Sequence, residues 1–528
     1  MKMRSLYHML FLMTILLSLA SCNLSKSEIQ ESSIMNPVLP GDRPNPTVVQ
    51  IGNYYYASAT SNEWSPLFPI YKSADLLNWE LISYVFPSGA PEWAENNFWA
   101  PELVYDENQD KLFVYYTCSE KESGMLTMAV ASADTPEGPF NDLGPLDLSE
   151  RGSVDGFEMR DENGNLFLIW REAFRENLPT VFFAQPISEN RTRMVGPRKE
   201  LIRNDCDWER VALDGPALFR KGDYFYMFYS AGNCCEMNCD YKIGVARSKK
   251  LMGPWEKYDA NPILTNNEFW KCPGTGTVIE VEGDYYFLYH AFRTNGGDFL
   301  GREGILAKVD WTEDGWPLLK NNTQINRPVE ELDFSDDFSE ALNPVWQWRA
   351  TQNLAYSTSE NGLMLAASNQ NNDIGNLLVQ FSTSNNYEII ADVDIDDTGL
   401  NAGGGIALIG ASNNGMGAPI AGVGISVDHN MIQVWKMLDD ENNIYDAVQT
   451  PPGNSLVSLK MEVNHGCMVR FSFYDGERWN VIADSINASS YVPWGMGFRW
   501  GLTSHGKQGE YVNISKVELH HKELAKLE

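Results

Sequence analysis

The chain has 528 residues and a formal net charge of −31, from 71 acidic and 40 basic side chains. This length exceeds what one hydrophobic core normally supports, so we expect two domains or a large repeat architecture. The negative charge repels phosphate backbones and anionic membranes, which argues against nucleic acid as a partner. The 16 Trp and 23 Tyr are spread along the chain, as is typical of an all-β protein, and are compatible with glycan handling.

The N-terminal residues 1–22, MKMRSLYHMLFLMTILLSLASC, predict an export signal: a basic start, an apolar run and small residues before a cysteine. The ending LASC is typical of a bacterial lipoprotein box, so we expect Cys22 to carry a lipid. This predicts an exported, membrane-anchored lipoprotein, in the periplasm or at the cell surface. The alternative is a cleaved secretory signal with an incidental cysteine. Residues 23–35 are polar and predict a tether.

The remaining cysteines would meet an oxidising compartment, so we expect some of them to pair. The dense cluster is Cys234, Cys235 and Cys239. It lacks CxxC spacing and a neighbouring histidine, which favours a disulfide or free buried thiols over a zinc site.

Five segments share a pattern in which a turn with Gly, Asn or Asp precedes an aromatic-rich strand. They are GNYYYASATS, NQDKLFVYYTC, NGNLFLIWREA, KGDYFYMFYSAG and EGDYYFLYHAF. Their starts lie roughly 55 to 60 residues apart, which is the spacing of a repeat architecture. A further apolar strand follows each one, and long helical periodicity is absent. We therefore predict a five-bladed β-propeller over residues 36–328, rather than a large β-sandwich, which needs no fixed period.

After Arg327 the pattern changes to short alternating strands such as YEIIADVDI, MIQVWKML and LVSLKMEV, separated by Asn and Gly turns. This density of short strands predicts a β-sandwich over residues 334–521. The fold class expected for the whole chain is thus all-β, a propeller followed by a sandwich.

Several motifs together resemble glycoside hydrolase family 43, the β-xylosidase and α-L-arabinofuranosidase group. They are NPVLPGDRPNPTVVQIGNYY, the pair Glu63-Trp64, PIYKSADLLNW and WAPEL. The C-terminal sandwich resembles the concanavalin-like jelly roll of the family's β-xylosidases, so the resemblance covers essentially the whole mature chain. It implies hydrolysis with inversion at chain ends of a plant-type polysaccharide, on arabinofuranosyl, xylosyl or galactosyl linkages. The implied partner is thus an oligosaccharide or polysaccharide.

Inversion needs a base that deprotonates water on one face of the sugar and an acid that protonates the leaving oxygen on the other. The resemblance places the acid at Asp214, in LDGPALFRKGDYFY, and a third carboxylate that tunes the acid's pKa at Asp155, in GSVDGFEMRDENG. Asp155 could instead be a turn aspartate that caps its own backbone. Glu209 is a fallback acid, although strand alternation would place it on the opposite face.

Asn45 occupies the position at which the family has the aspartate that acts as general base. A carboxamide can orient a water molecule but cannot take its proton. Three explanations stay open: another carboxylate, from Glu63, Asp42 or Glu102, serves as base; the substrate supplies a carboxylate; or the chain binds glycan without cutting it. The last is a catalytically degenerate carbohydrate-binding propeller. An interaction module without a sugar pocket is a third function class.

The resemblance also suggests residues close to the sugar, each with a structural alternative. Trp64 and Trp99 could stack on sugar faces or be packed core indoles, His290 could be a core histidine, and Arg302 could form a surface ion pair. The remaining substrate-binding candidates are Glu63 and Glu102.

No metal or cofactor is predicted. The family often has a histidine and an ion near the propeller axis, but this chain has Thr275 in the sequence PGTG. The acidic turn DFSDDF of the sandwich makes structural calcium conceivable, but its spacing matches no defined calcium loop, and calcium is not predicted.

Overall fold

The computed structural model describes residues 29, 34–320, 323–328, 333–369, 374–412, 418–438, 441–451 and 455–522. The predicted export signal, Cys22 and most of the polar tether lie outside these residues. Among the helices in the described ranges, none has both the length and the apolar character needed to cross a bilayer. Residues 35–528 form one unit, in which strands dominate.

The first part of this unit contains 21 strands. In chain order they are β1 (Thr47–Ile51), β2 (Tyr54–Ser58), β3 (Trp64–Ser65), β4 (Leu67–Ser73), β5 (Glu80–Phe86), β6 (Ala94–Asp106), β7 (Lys111–Glu120), β8 (Leu126–Ala133), β9 (Asn141–Pro145), β10 (Ser153–Arg160), β11 (Leu166–Glu172), β12 (Val181–Pro186), β13 (Lys199–Arg203), β14 (Leu213–Lys221), β15 (Tyr224–Ala231), β16 (Lys242–Ser248), β17 (Glu256–Lys257), β18 (Trp270–Val281), β19 (Asp284–Arg293), β20 (Glu303–Trp311) and β21 (Pro317–Leu319).

Twenty of these strands form five antiparallel sheets of four strands each, and the predicted five-bladed propeller is confirmed. The sheets are β1-β2-β4-β5, β6-β7-β8-β9, β10-β11-β12-β13, β14-β15-β16-β17 and β18-β19-β20-β21. Each repeated aromatic segment of the sequence forms the second strand of a blade. The first strands β1, β6, β10, β14 and β18 contact one another in a closed ring and therefore surround the hub.

The ring is closed by residues that precede β1. The backbone N–H of Leu39 donates to the carbonyl of Gly304 on β20 (3.2 Å), and the N–H of Gly304 donates to Leu39 (2.8 Å). The Asn36 side chain continues this pairing, because its amide donates to the Leu306 carbonyl (3.1 Å) and accepts from the Leu306 N–H (2.9 Å). The segment that leads into β1 is thus attached to the last blade.

The sandwich contains the remaining strands. They are β22 (Phe334–Asp336), β23 (Trp348–Arg349), β24 (Tyr356–Ser359), β25 (Gly362–Ala366), β26 (Asn376–Phe381), β27 (Tyr387–Asp394), β28 (Ala402–Ala411), β29 (Ile420–Val427), β30 (Met431–Leu438), β31 (Glu441–Gln449), β32 (Leu456–Asn464), β33 (Met468–Tyr474), β34 (Trp479–Asn487), β35 (Arg499–Gly506) and β36 (Tyr511–His521).

Two antiparallel sheets form this domain and enclose its largest apolar core. One sheet has the order β24-β25-β36-β27-β32-β33-β34, with β22 also paired to β36, and the other has the order β26-β35-β28-β29-β30-β31. The alternation of buried and exposed residues along β27 and β32 follows the period of two that the sequence shows. The predicted β-sandwich is confirmed.

The sandwich packs directly against the propeller. Strands β3 and β23 pair across the boundary, and Arg499 on β35 forms an ion pair with Asp42 (2.9 Å), both side chains being at most 4% exposed. The guanidinium of Arg43 lies 3.6 Å from the centre of the Phe381 ring on β26. A cation over an aromatic face is attracted by the ring's quadrupole, so these contacts add charge complementarity to apolar packing.

We expect Arg499→Ala to lower the free energy of unfolding by about 3–5 kcal/mol, because the change leaves Asp42 buried without its cationic partner. Denaturant unfolding followed by tryptophan fluorescence measures this difference. The matched control is Arg470→Ala, which removes an exposed ion pair to Asp484 elsewhere in the sandwich and is expected to change stability little. Equal stability of both variants would contradict the role assigned to the Asp42–Arg499 pair.

Candidate active site

Two adjoining hollows lie at the hub of the propeller and share Asn45, Ala100 and Asp155. The larger has a volume of about 540 Å³, is open to solvent and is also lined by Asn62, Trp99, Arg171, Asp214, Cys234, Cys235, Tyr241, Arg302 and Trp494. The smaller, of about 310 Å³, is also lined by Pro46, Pro101, Glu102, Gly156, Gly215, Pro216, Thr275, Gly276 and Thr277. Asn45, Asp155 and Asp214 therefore line one hollow.

The inner strands bring these side chains to the hub because each strand is irregular at that point. Register shifts interrupt β6 between Trp99 and Glu102, β10 around Asp155, and β14 directly after Asp214. A bulge turns a side chain away from the direction that strict alternation would give it. The φ angle of Asp155 is 58°, in the left-handed region that non-glycine residues rarely adopt. Such backbone conformations are concentrated at functional sites.

Arg171 on β11 connects the two carboxylates. Its Nε donates to Oδ2 of Asp155 (2.9 Å), and its Nη2 forms an ion pair with Oδ1 of Asp214. Asp155 also accepts the backbone N–H of Gly215 (3.3 Å), directly after Asp214. All three charged side chains are between 11% and 15% exposed. Asp155 and Asp214 come from neighbouring blades, and the guanidinium thus holds their carboxylates next to each other.

The surroundings of Asp214 make it easier to protonate than an ordinary aspartate. Burial raises the pKa of its carboxyl, Arg171 opposes this, and the negative charge of Asp155 adds to the increase. The hydroxyl of Tyr241 donates to Oδ2 of Asp214 (2.8 Å) and lowers the pKa again. The net shift is upward, as a group that must carry a proton to a leaving oxygen requires.

Asn45 is held in place by the last blade. Its backbone N–H donates to Nδ1 of His290 on β19 (3.0 Å), and its side-chain Oδ1 accepts a hydrogen bond from the Thr60 hydroxyl (3.3 Å). The φ angle of Asn45 is 52°, which an asparagine tolerates better than most residues. Burial lowers the pKa of His290 well below its usual range, so the ring is neutral and Nδ1 can accept. His290 lies behind Asn45 and lines neither hollow.

Glu102 is a carboxylate that lines the smaller hollow but not the larger one. Its Oε2 accepts hydrogen bonds from the hydroxyls of Thr47 (2.9 Å) and Thr277 (3.3 Å). Within the part of the chain that the structure describes, Oε1 receives no hydrogen bond. Burial raises the pKa of Glu102 to about 8, and the two threonine bonds oppose the increase. Glu102 therefore keeps its proton to a higher pH than an ordinary glutamate does.

The larger hollow has an aromatic and cationic rim. The Nε1 of Trp99 donates to Oδ1 of Asn62 (2.6 Å), and the Trp99 ring lies 5.9 Å from that of Trp494, which belongs to the sandwich. Arg302 reaches the same hollow, and its Nε donates to the Gly495 carbonyl (3.0 Å). The sandwich thus contributes to the wall of a hollow that otherwise belongs to the propeller.

Glu63 and Trp64, expected near the sugar, line neither hub hollow. Trp64 is 3% exposed and packs in an apolar cluster with sandwich residues, so the alternative of a packed core indole describes it. Glu63 accepts the backbone N–H of Asn97 (3.1 Å) and faces Arg349 at 3.9 Å. Both residues lie at the boundary with the sandwich because β3 pairs with β23 there.

Asp42, an alternative base, and Glu209, the fallback acid, also form their contacts away from the hub hollows. Asp42 forms its ion pair with Arg499 of the sandwich. Glu209 is fully buried, where it accepts the hydroxyl of Tyr229 (2.8 Å) and pairs with Lys257 (2.7 Å). Neither side chain lines the hollows around Asn45.

The cysteine cluster forms disulfides instead of a zinc site. Cys234 pairs with its neighbour Cys235, and Cys239 pairs with Cys272 on β18. A sulfur in a disulfide is not a thiolate and does not provide the usual cysteine ligand to zinc. The alternative of disulfide bonding therefore describes this cluster.

Few described side chains at the hub could serve as ligands to a central calcium ion. Calcium takes about six to eight oxygen ligands. The described side chains around Glu102 offer one carboxylate and two threonine hydroxyls that donate to it. Thr275 packs against Gly215, where a Cβ atom would lie 2.4 Å from the threonine methyl group. That no metal binds at the hub stays a prediction.

Sequence reasoning missed Arg171, Tyr241 and Trp494. Arg171 follows directly after the apolar run LFLIW of a predicted strand. A charged residue at the end of such a strand could have indicated a site residue. Tyr241 follows a cysteine-rich turn without any pattern. Trp494 reaches the hub through packing between residues distant in sequence, for which no local signal exists.

Two curated relatives of the chain are named as a xylosidase/arabinosidase and a xylosidase. A xylosidase/arabinosidase of Humicola insolens is 25% identical over 349 residues, which cover 60% of this chain and 62% of the relative. A xylan 1,3-β-xylosidase of a Vibrio species is 27% identical over 332 residues, which cover 57% of this chain and 59% of the relative. The chain thus spans about three-fifths of the length of these curated relatives.

The fold has a close structural counterpart. The crystal structure of a xylan β-1,4-xylosidase from Bacillus halodurans superposes with a TM-score of 0.77 at 21% identity, and the match covers 92% of this chain and all of that one. Residues 34–317, more than half of the chain, match the family described as Glycosyl hydrolases family 43. The propeller, the hub carboxylates and this match together lead to one conclusion: the chain belongs to glycosyl hydrolases family 43.

Proposed function

We propose that this protein is a glycoside hydrolase that removes arabinofuranosyl, xylosyl or galactosyl units from chain ends of a plant-type polysaccharide, with inversion at the anomeric carbon. The observation that carries the proposal is the shared hollow of Asp155, Asp214 and Asn45. The names of the relatives, a xylosidase/arabinosidase and a xylan 1,3-β-xylosidase, support the arabinofuranosyl and xylosyl units among these sugars. Contact of Trp494 with Trp99 narrows the hollow on the sandwich side and favours a terminal unit over a chain interior.

Asp214 is the proposed acid. Its raised pKa favours the protonated form, and Arg171 and Tyr241 hold its two oxygens. The proton passes from Asp214 to the leaving oxygen as the bond from that oxygen to the anomeric carbon breaks. Asp155 acts through the acid, since its charge raises the pKa of Asp214.

Glu102 is the proposed base in place of the missing aspartate. Of the three alternative carboxylates, Glu63 and Asp42 are bound at the sandwich boundary, whereas Glu102 shares the smaller hollow with Asn45. Its Oε1 is available to take a proton from water, and Asn45 orients that water through its carboxamide. The water oxygen then bonds to the anomeric carbon on the face opposite the leaving group.

Asn45 itself favours a second candidate, a carbohydrate-binding propeller without turnover. Aryl arabinofuranoside, xyloside and galactoside are assayed at high enzyme concentration, with wild type and Asn45→Asp in parallel. If both proteins bind oligosaccharide in calorimetry but release no sugar, the binding function replaces the hydrolase. Release by wild type, with the inverted anomer first in the proton NMR spectrum, supports the hydrolase.

The export signal and the lipid on Cys22 belong to the same proposal. They rest on residues 1–22 of the sequence, which provide a basic start, an apolar run and the LASC ending. An exported, anchored hydrolase would meet polysaccharide outside the cytoplasm. Metabolic labelling with a fatty acid, lost in Cys22→Ala, tests the anchor.

For the acid, we expect Asp214→Asn to lower kcat about 10²- to 10⁴-fold on oligosaccharides, because their leaving oxygens need a proton. The leaving group of a 2,4-dinitrophenyl glycoside is the stable dinitrophenolate anion, which departs without protonation. The rate on this substrate should therefore change much less. Steady-state rates with both substrates measure the difference. Equal losses on the two substrates would show that Asp214 does not act as an acid.

For the base, we expect Glu102→Gln to lower kcat/KM about 10²- to 10⁴-fold. On the dinitrophenyl glycoside, wild-type kcat/KM should rise with pH around the raised pKa of Glu102, about 8, because only the ionised carboxylate accepts a proton. This rise should be absent in Glu102→Gln. The matched control is Glu63→Gln, another buried glutamate, which should keep both rate and pH dependence; the opposite result would move the base to Glu63.

For the pKa of the acid, two variants should act in opposite directions. Tyr241→Phe removes a hydrogen bond that lowers the pKa of Asp214 and should raise it, whereas Asp155→Asn removes a negative charge that raises this pKa and should lower it. Carbon-13 NMR titration of the Asp214 carboxyl measures both shifts without any substrate. Shifts of the same sign would contradict the assigned electrostatics.

A further inference from the structure

The larger hollow contains one feature that the proposed mechanism does not use, the disulfide between Cys234 and Cys235. Both residues line the hollow together with Asp155 and Asp214. A disulfide has no N–H or O–H group to donate, and its sulfur atoms are soft and polarisable. It therefore gives an apolar surface to a hollow whose carboxylates and guanidinium groups are strongly polar.

The disulfide is held in a fixed position from two sides. The backbone N–H of Gly495, next to Trp494 in the sandwich, donates to the carbonyl of Cys235 (2.9 Å). The disulfide between Cys239 and Cys272 attaches the same loop to β18, an inner strand of the propeller. The Cys234–Cys235 surface is thus a built part of the wall.

The disulfide also lies beside the proposed acid. Cys234 packs against the cluster that contains Tyr241, and Tyr241 donates its hydroxyl hydrogen bond to Asp214. A sugar whose glycosidic oxygen reaches Asp214 therefore occupies the space that the two cysteines border.

We propose that the Cys234–Cys235 disulfide is a sugar-contacting wall that packs against C–H groups of the glycosyl unit held over Asp155 and Asp214. Sugars combine hydroxyl groups with apolar C–H surface, and ligand sites pair a few polar groups with apolar lining. The hydroxyls turn to the carboxylates, Arg302 and Asn45, and the C–H surface turns to sulfur. The proposal rests on the proposed function, because it names the residues that select the sugar of that site.

The first test compares two double variants. The wall variant, Cys234→Ala with Cys235→Ala, removes the apolar surface; the control, Cys239→Ala with Cys272→Ala, removes the neighbouring disulfide, which lines neither hollow. Calorimetry with L-arabinose, D-xylose and D-galactose identifies the sugar that wild type binds best. We expect the wall variant to bind that sugar about five- to tenfold more weakly, from lost apolar contact. The control should lose thermal stability but keep the affinity, because the backbone hydrogen bond from Gly495 still holds Cys235 in place.

A second readout needs no substitution. Wild type is treated with a trialkylphosphine, whose phosphorus attacks one sulfur and gives two electrons to the disulfide. Water then supplies the oxygen of the phosphine oxide and the two protons of the two thiols. Alkylation and mass spectrometry then follow each pair separately. Sugar at ten times its Kd should slow the reduction of Cys234–Cys235 about tenfold, because the bound state is closed to the phosphine, and should leave Cys239–Cys272 unaffected.

The outcomes separate this inference from the hydrolase. Unchanged affinity in the wall variant, equal losses in both variants, or no protection from reduction would overturn the sugar-contacting wall, even with full hydrolysis. Weaker binding and specific protection in a protein that releases no sugar would support the wall and reject the hydrolase. Absence of sugar binding by wild type would overturn both.

Discussion

The site depends on the closure of the propeller ring by the segment before β1. Pairing of Leu39 with Gly304 attaches this segment to the last blade, and the hydrogen bond from Asn45 to His290 then sets its position at the hub. A closed ring has no unpaired seam between its first and last blades, so the inner strands cannot separate independently. The hub can therefore hold buried charges in a fixed arrangement, which isolated hairpins could not do.

Within that ring, the arrangement of charge decides what each carboxylate can do. Arg171 lies between Asp155 and Asp214, which lets two acids remain close together in a mostly buried space. The positive guanidinium offsets part of the repulsion between the two like charges. Tyr241 and Asp155 shift the pKa of Asp214 in opposite directions. The pKa of this acid therefore depends on the balance between its neighbours. The identity of the residue at position 214 alone does not determine its behaviour.

The repeats and alternating strands of the sequence were sufficient to predict both domains, because each blade is a local unit and the strand period is local. The family motifs led to Asp155, Asp214 and Asn45, which line one hollow. Trp64 shows the limit of prediction from motifs. Its indole belongs to a family segment, but pairing of β3 with β23 places it at the boundary with the sandwich. Arg171, Tyr241 and Trp494 reach the hub through contacts distant in sequence, which local patterns do not encode.

Asn45 and Glu102 are best understood together, since both line the smaller hollow. Burial already raises the pKa of Glu102 to about 8. An aspartate at position 45 would place a second carboxylate in the same small hollow, and like charges raise one another's pKa values. The pKa of Glu102 would then rise further, and the aspartate would be the group that ionises first and takes the proton. The neutral carboxamide of Asn45 removes this competition for the proton, and Glu102 keeps the role of base in the proposed mechanism. The loss of the family's aspartate is thus compatible with catalysis in which Glu102 takes the proton of the water that Asn45 orients. The substitution also removes one negative charge from the hub.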